Sequence, residues 1–282
     1  MILYRYGGTQ VPFPKNITHA IVDENVSTIR EEAFENCIFL VSLIMHDNVK
    51  TIERAAFRNC TALHFVRLSK TLDRIGRYAF SCCTSLENLV VPSTLTHLGR
   101  EAFYLCESLH FLMLPQDLDL IAHTCKDFDK TGIYKKIAFP MNIRYTYKNF
   151  SFRSPMRGQK VATQRSNERV NRWLTSYMET YSFHKLCYDQ SITTIKINDF
   201  LAERVNAASV VDHYHIMTPL HVLAGNPHAP SGSISALYHS HPESVFHLDI
   251  LYNTPLDLAR EYNVDGLLEL INCLCIHRDN SK

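Results

Sequence analysis

Four columns of side chains recur at a fixed interval, and this limits what the chain can fold into more than any other feature. Ile29, Ile52, Ile75, Leu98 and Ile121 stand 23 residues apart. Five residues after the first four come Phe34, Phe57, Phe80 and Phe103, each preceded by an alanine: Ala33, Ala56, Ala79 and Ala102. Cys37, Cys60, Cys83 and Cys106 follow, and then Leu40, Leu63, Leu86 and Leu109. One unit of this length cannot bury its own apolar columns. Stacked units bury them against each other, so the period predicts a solenoid.

The run after each cysteine, as in Leu86-Glu-Asn-Leu89-Val-Val91-Pro92, alternates apolar and variable residues and ends in a turn signal. It reads as a short strand, and strands from successive units should align in a parallel sheet. The Ile-x-x-x-Ala-Phe-x-x-Cys segment reads as a helical turn behind it. An opening strand is expected from Thr18 to Val22, and a degenerate closing unit at Ile137, Phe139 and Pro140, which match Leu112, Leu114 and Pro115 after an insertion near Lys130.

The stretch 75–86, Ile-Gly-Arg-Tyr-Ala-Phe-Ser-Cys-Cys-Thr-Ser-Leu, resembles the BspA-type leucine-rich repeat. That likeness extends over roughly residues 17 to 140. It implies a curved solenoid that binds other proteins or surfaces and carries no catalytic residues. The cysteine column invites a zinc or disulfide reading. Cysteine is also a small, readily buried hydrophobe, and four copies at one repeat position are expected to pack rather than converge on a metal. Cys82, beside Cys83, should face outward.

A second, helical repeat follows. Met217-Thr-Pro-Leu-His-Val-Leu-Ala224 and Asn253-Thr-Pro-Leu-Asp-Leu-Ala259 lie 36 residues apart. Pro219 and Pro255 fit a first helical position, where a missing N–H costs nothing, with Thr218 and Thr254 as caps. The Thr-Pro-Leu-(His)-x-x-Ala start resembles ankyrin repeats. A diverged copy is expected from Ser182-Phe-His-Lys-Leu-Cys187, with second helices at Ile197 to Val205, Ile234 to Val245 and Val264 to Ile271. The whole arrangement resembles leucine-rich-repeat proteins abundant in diatoms. His184 and His221 are expected to hydrogen-bond a neighbouring turn rather than to catalyse. His213/His215 and His239/His241 are His-x-His pairs in segments that look like loop and helix end, where the two rings would not share a face.

Charge is unevenly laid out. Residues 1–141 carry 15 basic and 15 acidic side chains; from Leu174 onward six basic face twelve acidic. Between them Arg144, Lys148, Arg153, Arg157, Lys160, Arg165, Arg169 and Arg172 meet Glu168 alone, interleaved with Tyr145, Tyr147, Phe150, Phe152 and Trp173. Such a mixture reads either as a solvated linker, or strap, or as a grip on nucleic acid through phosphate contacts and stacking.

If Leu40, Leu43 and Met45 point inward, alternation turns residues 42 and 44 outward, and likewise in each unit. That outward column holds Ser42 and Ile44, Phe65 and Arg67, Asn88 and Val90, Phe111 and Met113, then Lys136 and Ala138. Ile44, Phe65, Val90, Phe111 and Met113 suggest an apolar stripe, with Arg67 beside it. The stripe is either a partner site or is covered by the chain's own linker.

The sequence has no Gly-x-Gly-x-x-Gly loop, Walker-type lysine, His-Glu-x-x-His or Gly-x-Ser-x-Gly elbow. The expected architecture is thus an α+β solenoid over residues 1–141, a basic aromatic linker over 142–173 and an all-helical, ankyrin-like module over 174–282. The expected function is a non-catalytic scaffold for a protein partner, without cofactor or metal; the alternative is nucleic-acid association through Arg144, Lys148, Arg153, Arg157, Lys160 and Arg165. The absence of an apolar N-terminal leader or spanning stretch, and an odd cysteine count of nine, point to a cytoplasmic setting.

Overall fold

The computed structural model describes residues 1–8, 14–115, 118, 131, 172–173 and 175–280. Two compact units partition the chain, Met1–Ser176 and Tyr177–Lys282.

The first is a parallel-sheet solenoid. Strands β1 (Leu3–Tyr6), β2 (His19–Val22), β4 (Ser42–Ile44) and β6 (Phe65–Arg67) pair in that order, and β8 (Asn88–Val90) pairs with β10 (Phe111–Met113). Ser42 lies beside Phe65 and Asn88 beside Phe111, so each coil advances 23 residues and every repeat position sits over its counterpart. A second line of two-residue strands, β3 (Thr28–Ile29), β5 (Thr51–Ile52), β7 (Arg74–Ile75) and β9 (His97–Leu98), forms a second parallel sheet. The isoleucine column therefore stands on a sheet of its own.

The interior follows the sequence columns. Phe34, Phe57, Phe80 and Phe103 are fully buried in a single pile, with successive ring centroids 5.1, 5.1 and 5.8 Å apart and planes within 17°. Offset stacking of this kind adds to the gain from burying four phenyl groups. The cysteine column lies in the core as well. Thiols of Cys60, Cys83 and Cys106 donate to the carbonyls of Phe34, Phe57 and Phe80 at 3.1, 3.2 and 3.1 Å.

The segment behind the sheet is not helical. Each coil places two non-glycine residues in the left-handed region four positions apart: Glu32 and Asn36, Ala55 and Asn59, Tyr78 and Cys82, Glu101 and Leu105. Those reversals break any helix, leaving single turns such as Cys37 N–H to Phe34 O. The alternate amides reach the next coil instead: Glu32 to Arg54, Phe34 to Ala56 and Asn36 to Arg58, at 3.0, 2.7 and 2.9 Å. Buried backbone is thereby satisfied between coils rather than within one.

The second unit holds three helix pairs: α1 (Ser182–Tyr188) with α2 (Thr194–Glu203), α3 (Pro219–Ala224) with α4 (Ser231–Ser240), and α5 (Pro255–Tyr262) with α6 (Val264–Asn280). First helices stack on first helices and second on second, α1 on α3 on α5 and α2 on α4 on α6. Thr218 and Thr254 cap α3 and α5 with reciprocal capping boxes, and Pro219 and Pro255 occupy the first turn as the sequence predicts. The second helices differ from expectation at their ends. α4 stops at Ser240 because Pro242 follows and opens a short 3-10 helix, Pro242–Phe246, whereas α6 runs on past Ile271.

Candidate functional site

The outward column of the sheet is built by strand alternation. Leu43, Val66, Leu89 and Leu112 fill the core, which turns their neighbours to the opposite face. Ser42, Ile44, Phe65, Arg67 and Met113 are half-buried there. Arg67 is fixed by donating to the Met45 carbonyl at 2.6 Å, with Asp47 4.0 Å away, so it presents a held guanidinium beside Ile44 and Phe65.

The stripe is not uniformly open. Asn88, Val90 and Phe111 are only 8%, 4% and 3% exposed, so the outward face of β8 and the start of β10 is closed over. Val90 and Phe111, which belong to a stripe expected either to meet a partner or to be covered by the chain itself, are buried, and buried apolar groups have already lost the solvent contact that a docking residue must trade away. The accessible remainder is Ile44, Phe65, Arg67 and Met113. Lys136 and Ala138, the degenerate closing unit, and the basic positions Arg144, Lys148, Arg153, Arg157, Lys160, Arg165 and Arg169 lie outside the described residues.

The histidines of the helical unit hold turns. His184 donates from Nε2 to the carbonyl of Met217 at 2.9 Å, and His221 does the same to Asn253 at 3.2 Å. Burial lowers the basicity of both rings, that of His221 to about 4. Asp212 plays a comparable part in the loop between α2 and α3, accepting from the amides of Tyr214, His215 and Met217. Burial alone would raise its carboxyl; hydrogen bonds and charge from His215, together with the Met217 amide, outweigh that and hold it below the usual carboxylate range. His213 and His215 fall in this loop, while His239 lies in the last turn of α4 and His241 is its C-cap. Among the described residues no three His, Cys, Asp or Glu side chains are grouped as a metal site.

One cleft went unread in the sequence. It measures about 420 Å³ and is lined by residues including Tyr181, Phe183, His184, Phe200, Arg204 and Asn206. Its groups are largely spent on one another. Arg204 donates to the Ser182 hydroxyl at 3.1 Å and lies 5.2 Å above the Phe200 ring, and the Tyr181 hydroxyl meets the His213 ring. A sequence signal for it exists: Tyr181 stands where Thr218 and Thr254 cap the later pairs, so His184 has no cap hydroxyl and its Nδ1 is buried without a hydrogen bond.

Comparison with known proteins agrees with the first unit. Residues 14–131 match the BspA type leucine-rich repeat region in six copies. Among solved structures, a leucine-rich repeat protein of T. pallidum is 28% identical over 38% of this chain and 51% of its own, with a TM-score of 0.36. A leucine-rich repeat protein of Bacteroides ovatus is 29% identical over 42% of this chain and 34% of its own, at 0.37. A leucine-rich cell surface protein of Faecalibacterium prausnitzii is 30% identical over 36% and 28%, at 0.34. The chain thus spans about half the length of the first of these and less of the other two. No curated protein matches it. No described helix is long and apolar enough to cross a membrane.

Proposed function

We propose that the chain is a non-catalytic, cytoplasmic protein-binding scaffold, in which the leucine-rich-repeat sheet takes one partner and an ankyrin-like helical stack supports another contact. The observation that carries this reading is the outward group Ile44, Phe65 and Arg67 on the paired strands β4 and β6, apolar side chains beside a fixed guanidinium. Apolar anchors beside a pre-positioned arginine are the usual makings of an interface hot spot. Repeat proteins of the leucine-rich class generally bind proteins in this way, through a broad surface rather than a pocket.

The ankyrin-like reading of the helical unit draws support from three features. Capped Thr-Pro starts recur at α3 and α5, histidine side chains tie one pair to the entry of the next, and like helices stack on like. The test is affinity capture from the native cell with the intact chain and with an Ile44→Glu/Phe65→Ser variant. We expect the variant to lose a specific protein partner while keeping its far-UV circular dichroism. Undiminished capture by the variant, or capture of RNA or DNA that salt removes, would overturn the assignment. Phe111→Ser is not a clean probe, because that ring is packed.

A further inference from the structure

The cleft at the start of the helical unit contains one acceptor that the protein leaves unmet. His184 is 1% exposed; its Nε2 is committed to the Met217 carbonyl, and its Nδ1 has no hydrogen-bond partner. Because Nε2 carries the proton and burial keeps the ring neutral, Nδ1 acts as an acceptor only.

The neighbouring pair shows where that atom points. His221 Nδ1, the equivalent atom 37 residues on, meets the Thr218 hydroxyl at 2.8 Å and the Thr218 amide at 3.1 Å. In the first pair Tyr181 stands in place of the threonine. Its amide goes to the Met178 carbonyl at 2.9 Å and its hydroxyl to His213, so neither reaches Nδ1. Residues around this cap, from Thr180 to His184, form one wall of the cleft. A buried acceptor without a donor is costly, and one that points toward a cleft is relieved by a donor that enters it.

The rest of the cleft supplies a cation and an aromatic floor. Phe183 and Phe200 stack with centroids 4.5 Å apart, and Arg204 is held 5.2 Å over the Phe200 ring. Arg204 gives an N–H to the Ser182 hydroxyl, and among the described residues no carboxylate pairs with it. The residue is exposed, which leaves its other N–H groups for an anion. Val205 and Val210 add an apolar rim, and about 420 Å³ suits one ring with its substituents. The combination belongs to the first pair alone: Arg204 is the C-cap of α2, where α4 has His241, and Asp257 takes the histidine's place in α5.

We propose that this cleft binds a small aromatic carboxylic acid, with its carboxylate on Arg204, its ring beside the Phe183–Phe200 stack, and an O–H or N–H of the ring donated to His184 Nδ1. The site is separate from the sheet surface of the first unit, and its ligand is recognised by an enclosed set of groups rather than by a broad face.

Titration calorimetry on the full chain decides it. Para-hydroxyphenylacetate and indoleacetate carry ring, carboxylate and donor, and each is expected to bind once per chain. Phenylacetate lacks the donor and tyramine lacks the carboxylate, so both should bind at least about tenfold more weakly. Arg204→Gln should weaken the two acids by a similar factor with unchanged circular dichroism. Tyr181→Thr supplies the hydroxyl that Nδ1 lacks, as Thr218 does for His221, and should erase the preference for para-hydroxyphenylacetate over phenylacetate. In the native chain the nitrogen NMR resonance of His184 Nδ1 should move on binding, a change that a purely structural histidine would not show. Failure of both acids to bind, equal binding of phenylacetate, undiminished binding by Arg204→Gln, a preference that survives Tyr181→Thr, or a His184 resonance unmoved at saturation would each overturn the proposal.

Discussion

His221 donates from Nε2 to the backbone carbonyl of Asn253 at 3.2 Å, so a side chain of one helix pair fixes the chain entering the next. The same ring accepts the Thr218 amide at Nδ1 across 3.1 Å. Both nitrogens are thereby committed to the neutral tautomer. A proton on Nδ1 would turn an acceptor into a second donor facing an N–H.

That commitment makes the helical unit sensitive to acid. Burial depresses His221 to about 4, from an ordinary 6.5, so the unfolded chain binds a proton that the folded one refuses. The contribution is fully present above pH 6.5 and is lost as pH falls toward 4, at a cost on the order of 3 kcal/mol. His184, lowered by the same cause, acts in the same direction. Asp212, held below its ordinary 3.8, keeps its contribution through this range and loses it only further down. Urea unfolding followed at the helical circular-dichroism band should show the midpoint falling steadily between neutral pH and pH 4. A midpoint flat across that window would contradict the buried neutral imidazole.

Phenylalanine stacking should carry much of the solenoid's stability. Phe57 is fully buried between Phe34 and Phe80, each 5.1 Å away, and has no route to relax into space left by truncation. Phe57→Ala is expected to destabilise by about 3–5 kcal/mol. Phe39, 56% exposed, gives the matched control, and Phe39→Ala should change stability by less than about 1 kcal/mol. Equal losses in chemical denaturation of the two variants would mean the ring pile is not a cooperative core.

Glycine at two coil corners is demanded by space rather than by backbone angle. A Cβ on Gly99 would lie 2.3 Å from the carbonyl carbon of Gly76, and one on Gly76 would lie 2.6 Å from that of Glu53. Gly99→Ala must therefore push neighbouring coils apart, costing roughly 1–3 kcal/mol. Gly7 has open space at its Cβ, and Gly7→Ala should be tolerated. Thermal melts of the two variants give the comparison, and a neutral Gly99→Ala would refute the close approach.

Legibility in the sequence followed burial. Columns that share an interior, such as Phe34 with Phe57 and Leu43 with Val66, recur because each coil has the same neighbours, and their period gave the solenoid directly. The caps at Thr218 and Thr254 were readable for a local reason, since hydroxyl and proline occupy fixed offsets from a helix start. The segment Glu32 to Asn36 was misread as helical because left-handed residues there are Glu, Ala, Tyr, Cys and Leu as well as Asn, with no glycine to announce them. The two-residue strands such as Thr51–Ile52 were missed because they are too short for an alternating pattern. Closure over Val90 and Phe111 is a tertiary fact: their outward parity was visible, but parity does not say what lies above a face.

The cysteine ladder separates packing from reactivity. Burial pushes the thiols of Cys60, Cys83, Cys106 and Cys187 upward, and the first three also spend their S–H on phenylalanine carbonyls. A thiolate is the nucleophile in alkylation, and a raised pKa in a sealed site removes both its population and its access. Cys82 is half-exposed at the next position along, and Cys275 is exposed on α6. Pulsed iodoacetamide labelling of the folded chain at mildly alkaline pH, mapped by mass spectrometry, should therefore mark Cys82 and Cys275 within minutes. Cys60, Cys83, Cys106 and Cys187 should label only after denaturant is added. Labelling of Cys83 at the rate of Cys82 would show that the column is reachable from solvent, and with it the pile of phenyl rings that the thiols border.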